Sequence, residues 1–215
     1  MCIRDSADSA AFSGTSTGGT SVSGTLAATD GADSASFTGS GGVVYLYDRT
    51  DDTEDITGAA IMVLSPNANA TNPYNAGTPT GVIIYVHGSG EDEEALLTDT
   101  LKEDCVDALL NAGYILAGAN DGGWGTDASI SVYAGLAKWV RENYNVSNIA
   151  LWSQSMGGLS GLLSISRNRI KGVVGWLGTY PICSLAAAYN GTNGTNFSSS
   201  INTCLLYTSP SPRDS

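Results

Sequence analysis

Residues 81–86 read Gly-Val-Ile-Ile-Tyr-Val and break at once into His87-Gly88-Ser89-Gly90. An uninterrupted apolar run of strand length, closed by glycines, suits a strand buried on both faces. The sequence downstream alternates with it. The spacing predicts a helix over about 92–111, with Leu97, Leu101, Cys105, Val106, Leu109 and Leu110 as its apolar stripe. Glu91, Asp92, Glu93 and Glu94 crowd its first turn, where the dipole favours negative charge, and Gly113 ends it. A strand over 114–119 follows. Then comes a helix over about 127–144 that carries Val132, Leu136, Trp139 and Val140 inward and is capped by Asp127. A strand over 149–153, a helix over 156–166 and a strand over 172–177 complete the series. Upstream, two β-prone runs at 43–47 and 59–64 flank an acidic turn at 51–55 and form an antiparallel edge hairpin; a polar loop, 65–80, joins it to the rest. Strand and helix in alternation mean an α/β fold: a mostly parallel central sheet with helices on both faces. In such open sheets reactive groups gather beyond the C-terminal strand ends. Here those are the loops after Val86, Ala119 and Trp152.

Composition removes several function classes. Acidic residues number 21 against 9 basic, a net charge of −12, so phosphate neutralisation on a nucleic acid is not expected. No apolar run approaches the length that spans a bilayer. Hydrophobic residues at 42 % suffice for a buried core. Low charge with abundant Gly, Ser and Thr hints at an extracellular, virion or cell-surface protein.

The two ends of the chain resemble each other at the level of DNA. The opening Met-Cys-Ile-Arg-Asp-Ser can be encoded by a stretch whose reverse complement encodes Cys-Leu-Leu-Tyr-Thr, the sequence of residues 204–208. This is similar to a transposase adapter of the kind used in sequencing libraries. Residues 1–6 and 204–215 are therefore expected to be adapter scars, and 7–203 a natural piece open at both ends, so an export signal is not observable. Cys2 and Cys204 then drop out. Cys105 and Cys183 remain; they offer no disulfide framework and are expected to be small buried hydrophobes.

Residues 7–41 hold few large side chains and contain a repeat, Ala-Asp-Ser-Ala-Ala-Phe-Ser-Gly-Thr at 7–15 and Ala-Asp-Ser-Ala-Ser-Phe-Thr-Gly-Ser at 32–40. Such a unit buries no core alone. It reads as the end of a β-rich or extended stalk, or equally as a flexible linker. It weakly resembles short repeats of phage tail and bacterial surface proteins.

The chemistry centres on Leu-Trp-Ser-Gln-Ser-Met-Gly-Gly, 151–158. A strand running through Ser153-Gln154-Ser155-Met156-Gly157 straight into a helix matches the nucleophile elbow G-x-S-x-G, with Ser153 in place of the first Gly. The positions two before and two after the nucleophile must be small because the turn is tight. Ser155 is then the nucleophile, at a helix N-terminus that favours an anionic intermediate. The bland alternative is a strand–turn–helix junction with a capping Ser. An oxyanion hole needs backbone N–H donors. In elbow architecture one follows the nucleophile, here Met156; the other comes from the loop 87–91, where Gly88 and Gly90 let the backbone approach and Ser89 is the chosen donor. His87, the single histidine, reads as a loop-shaping residue rather than the base. Asp121 follows the strand ending at Ala119; it reads as fixing a Gly-rich loop, with Trp124 as a pocket wall, rather than as a catalytic acid. Gln154, Asp121, Trp124 and Tyr180 are candidates to line the pocket. For Tyr180 and Pro181, core packing is an equal reading.

On the His-Gly-x-Gly and Ser-x-Ser-x-Gly motifs, residues 42–203 resemble the α/β-hydrolase family, the serine esterases in particular. That resemblance implies a triad in the order Ser, Asp or Glu, His. Between Ser155 and Thr203 there is no Asp, Glu or His. The acid and base are therefore expected beyond 203, and the chain alone is expected to be inactive. The substrate implied is a small-molecule or polymer-linked ester. No cofactor, metal, nucleic acid or membrane is implied. Asn69, Asn145, Asn190, Asn193 and Asn196 open N-x-S/T triplets that chance explains. Asp51 and Asp52 in a solvated turn do not suit glycosidase work. Two other classes stay open: a non-catalytic binding or structural module of a virion or cell surface, motivated by the repeat, and a serine peptidase of the same fold.

Overall fold

The computed structural model describes residues 9–16, 20–27, 36–37, 44–45, 47–53, 58–67, 70, 79–98, 100–192 and 194–208. The expected scar at 1–6, residues 209–215 of the one expected at 204–215, most of the second repeat, Asp55, Asn69 and Asn193 lie outside the described residues. The first 45 residues contribute a small sheet. β1 (Ser9–Ser16) pairs antiparallel with β2 (Thr20–Ala27) from Ser9↔Ala27 to Ser16↔Thr20. β3 (Ser36–Phe37) and β4 (Val44–Tyr45) also pair with β2. The two repeat copies, through Phe12 and Phe37, thus supply strands that neighbour the same central strand.

The main sheet contains β5 (Tyr47–Thr53), β6 (Ala60–Pro66), β7 (Gly81–Val86), β8 (Tyr114–Ala119), β9 (Ile149–Gln154) and β10 (Val173–Thr179). Its order is β10-β9-β7-β8-β6-β5. β10, β9, β7 and β8 run parallel, and β6 and β5 join antiparallel. Between the parallel strands lie α1 (Ala95–Thr98), α2 (Thr100–Asn111), α3 (Asp127–Tyr144) and α4 (Gly157–Ser166); α5 (Leu185–Asn190) and α6 (Ser198–Thr208) follow β10. This is the expected mixed α/β fold.

Strand alternation divides the core into two layers. Val82, Ile84 and Val86 of β7 pack with Ile115, Ala117 and Ala119 of β8 against Tyr133, Leu136, Ala137 and Val140 of α3. Tyr85 of β7 and Leu116 of β8 face the other way, with Met62 and Leu64, onto Ala95, Leu96, Val106 and Leu110. Both faces of β7 are therefore covered, as its apolar run requires.

Four expectations need correction. The helix expected over 92–111 is described from Ala95 as α1 and α2, with residue 99 between them outside the described residues. Its inward stripe carries Lys102, 3 % exposed, with Val106 and Leu110, while Cys105 is exposed. Residues 102, 106 and 110 lie four apart on one face; Cys105 lies off it. Cys183 is exposed as well, so neither cysteine is a core residue. Asp51 and Asp52 lie in β5, not in a turn, opposite Met62 and Ile61. β5 is an edge strand, where polar side chains are tolerated, and Arg49 bonds both Asp51 and Glu94. The cap of α3 is Thr126, whose side chain accepts from the Ser129 amide; Asp127 is the first helical residue and pairs with Arg167.

The turn before α1 approaches β8 so closely that a Cβ on Gly118 would lie 2.6 Å from the Glu93 carbonyl oxygen. Gly118→Ala is expected to destabilise by about 1–3 kcal/mol through forced backbone displacement. Urea unfolding measures it, and an unchanged midpoint would refute the close contact.

Candidate functional site

β9 ends at Gln154 and α4 begins at Gly157, so the chain passes from strand to helix in two residues. Ser155 absorbs the bend at φ +47°, the left-handed region that costs a side-chain-bearing residue energy. Its backbone is pinned on both sides. The Ser155 amide donates to the Thr179 carbonyl at 3.1 Å, and its carbonyl accepts from Gly158 at 3.0 Å and Ile182 at 2.7 Å. Gly157 is required sterically, because a Cβ there would overlap the Val86 carbonyl oxygen and sit 2.6 Å from that of His87. Ser153 is fully buried, and its Oγ accepts from Trp176 Nε1 at 3.0 Å. Gly161 leaves it room, since a Cβ there would collide with that Oγ. Ser155 itself is half-buried. Among the described residues no side chain hydrogen-bonds its hydroxyl.

The loop after β7 comes up beside this turn. The Glu91 amide bonds the Gly88 carbonyl at 3.3 Å, and Gly90, the third residue of that turn, has φ +82°. This is the position of a type II turn that calls for Gly. A Cβ on Gly88 would lie 3.5 Å from Ser155 Cβ. The Gly88 amide is already committed to Glu91 Oε2 at 2.7 Å. The amides of Ser89 and Met156 donate to no protein acceptor among the described residues.

His87 lies 2 % exposed at the base of the same loop. Its Nδ1 donates to the Gly88 carbonyl at 2.7 Å, and its Nε2 meets Asp121 Oδ1 at 2.8 Å. The Asp121 amide also donates to Nε2 at 3.3 Å, so both ring nitrogens are engaged and neither is left for Ser155. Burial opposes charge on His87. The Asp121 hydrogen bond and negative charge outweigh it and hold the pKa above its ordinary 6.5. Burial likewise opposes charge on Asp121, 1 % exposed. The His87 bond and charge, with further bonds from Ser129 and the Gly123 amide, bring its pKa below 3.8. Tyr133 donates to Asp121 Oδ1 at 3.1 Å; burial and the neighbouring carboxylate push its hydroxyl pKa far up, so it stays a donor. Asp121 also accepts from the Gly123 amide at 2.9 Å and so fixes the Gly-rich loop.

These loops border a cleft of about 490 Å³. His87 and Asp121 line it with Ser89, Gly90 and Glu91; Trp124 and Met156 form an apolar part; Ser200, Thr203 and Cys204 line it from α6. Trp124 is buried, takes φ +56° and donates its Nε1 to Ser200 Oγ at 3.0 Å. Ser155 does not itself line the cleft; it lies between the lining residue Met156 and Gly88. Gln154 is also outside it, half-buried, with its side-chain amide on Glu91 Oε1 at 2.9 Å. Tyr180 corrects an expectation. It is 71 % exposed at φ +36° and belongs neither to the cleft lining nor to the core. Sequence reasoning missed Glu91, Lys102, Ser129, Ser160 and Ser200. For Glu91 the signal was present: it directly follows the glycine turn, four residues before α1 begins, too early to serve that helix's dipole.

Among the described residues no group of His, Cys, Asp or Glu side chains is arranged to hold a metal, and no helix is long and apolar enough to cross a membrane. No family model and no curated protein matches the chain. Among solved structures it is similar to a cold-adapted esterase from an Arctic intertidal metagenomic library, at 16 % identity over 63 % of each chain with TM-score 0.45. It is also similar to brefeldin A esterase, a bacterial homologue of human hormone-sensitive lipase, at 18 % identity over 63 % of this chain and 40 % of that one with TM-score 0.44. A ferulic acid esterase is similar at 16 % identity over 58 % and 54 % with TM-score 0.44. The chain thus spans less than two thirds of the length of each.

The buried pair makes stability depend on pH. His87, with its pKa raised, contributes fully below about 6.5 and loses the contribution as pH rises through its folded value. Asp121, with its pKa lowered, contributes fully above about 3.8 and loses it as pH falls through its folded value. The full contribution therefore lies between about 3.8 and 6.5. Asp121→Asn is expected to cost about 3 kcal/mol in that window and less at alkaline pH. Urea unfolding of both proteins across the range checks this, and a difference independent of pH would contradict it.

Proposed function

We propose that this chain carries the nucleophile of a serine hydrolase of the α/β-hydrolase type that cleaves carboxylic esters. The observation that carries the reading is Ser155 held at left-handed φ between a buried strand and a helix, against the Gly88 turn, with two uncommitted amides nearby. A strained position held by this many backbone constraints is characteristic of a functional site. In the proposed reaction Ser155 Oγ attacks the ester carbonyl carbon and forms a C–O bond, while its proton passes to a general base. The carbonyl oxygen becomes an oxyanion, for which the Ser89 and Met156 amides are the donors. Collapse of the intermediate breaks the bond to the alcohol, which takes the proton; water then releases the acid by the same steps in reverse. Trp124 and Met156 suit an apolar part of a small-molecule or polymer-linked substrate.

His87 is committed to Asp121 and Gly88, and residues 156–203 hold no Asp, Glu or His. The base and its acid are therefore assigned to sequence beyond 203. The exposed Val174 and Leu177 of the edge strand β10 supply a surface on which such sequence can pack.

In the protein continued through its base and acid, a fluorophosphonate probe is expected to label Ser155. Ser155→Ala is expected to abolish labelling and lower kcat for a short-chain ester at least about a thousandfold. Labelling at another residue, or an unaffected rate, rejects the assignment.

A further inference from the structure

We propose that Glu91, held by Lys102, is a positioning residue that fixes the Gly88–Gly90 turn relative to Ser155; this rests on the reading of Ser155 as nucleophile. One carboxylate binds both parts of the site. Glu91 Oε2 accepts from the Gly88 amide at 2.7 Å and the Tyr85 hydroxyl at 3.0 Å. Glu91 Oε1 accepts from Gln154 Nε2 at 2.9 Å and Lys102 Nζ at 2.9 Å. Gln154 immediately precedes Ser155, and Gly88 immediately precedes the amide assigned to the oxyanion. Glu91 therefore connects the donor loop to the nucleophile turn through two hydrogen bonds.

The connection is anchored in the core. Lys102 is 3 % exposed, its ammonium lies 4.6 Å from the Tyr85 ring centroid, and it also bonds the Ala95 carbonyl at 3.4 Å. A lysine is buried this deeply only when its charge is met. Burial disfavours charge on Glu91, but Lys102, the Gly88 amide and Tyr85 bring its pKa below the ordinary value, so the acceptor stays ionised. By occupying the Gly88 amide, Glu91 also leaves the Ser89 amide as the uncommitted donor of this turn.

In the protein continued through its base and acid, a structural role and a positioning role separate in the double variant Glu91→Leu/Lys102→Met. It removes both charges together, so no unpaired charge remains buried; the Tyr85 hydroxyl and the Gly88 and Gln154 amides lose an acceptor, and the midpoint of unfolding is expected to fall less than in Glu91→Leu alone. The bonds to Gly88 and Gln154 are gone, so kcat for a short-chain ester is expected to fall about tenfold with KM within about twofold, the pattern of misplaced transition-state donors. Wild-type kcat in the folded double variant overturns the proposal. Should the double variant not fold, Gln154→Leu cuts only the link to the Ser155 turn. It is expected to lower kcat about threefold at unchanged Tm, and an unchanged kcat overturns the proposal. The fluorophosphonate control separates the two readings. If wild-type Ser155 is unlabelled, the nucleophile assignment falls and this role with it; if it is labelled and the variants are fully active, only the positioning role falls.

Discussion

The space where a side chain at position 157 would lie is already occupied by the carbonyl oxygens of Val86 and His87. That exclusion sets the distance between the end of β9 and the end of β7. It brings α4 down onto the sheet at once and leaves only Ser155 and Met156 to make the bend. The left-handed φ of Ser155 follows from this short path, and the bonds to Thr179, Gly158 and Ile182 hold it there. The strain at Ser155, of order 1–3 kcal/mol, is small beside the burial of both faces of β7. A single glycine thus couples the packing of the central strands to the conformation of the residue between them.

The parts of this arrangement that depend on neighbours in sequence were legible before any coordinates. The apolar run at 81–86, the glycine turn after it and the small residues around Ser155 are local, so their spacing identified the strand, the loop and the junction. What depends on packing was not. Lys102 is polar by type, so periodicity passed over it and placed Cys105 on the inward face. Its burial depends on Glu91, eleven residues away. Asp121 meets His87 across 34 positions, with Ser129 and Tyr133 of α3 joining the same carboxylate. The Gly-Gly-Trp-Gly segment showed a special loop without showing what closes it. Asp51 and Asp52 read as a turn because acidic residues seldom build strands; as part of an edge strand they face no such penalty.

On the proposed chemistry the site develops a negative charge, and two carboxylates beside it would work against it, since an unscreened anion nearby raises the energy of an oxyanion. The chain has a net charge of −12, so the problem is general as well as local. The structure meets it by giving each carboxylate a buried basic partner. Glu91 has Lys102 and Asp121 has His87. Each pair costs desolvation, and each is held by further hydrogen bonds that recover part of that cost. Lys102 offsets the charge of Glu91, His87 offsets that of Asp121 when protonated, and the uncommitted amides of Ser89 and Met156 supply the positive ends of dipoles. Fixed dipoles in a site of low dielectric need no reorganisation during reaction, which is what stabilises an anion there most effectively. On the proposed chemistry, the unusual burial of the single histidine and of Lys102 is thus a condition for placing acidic residues beside Ser155 at all.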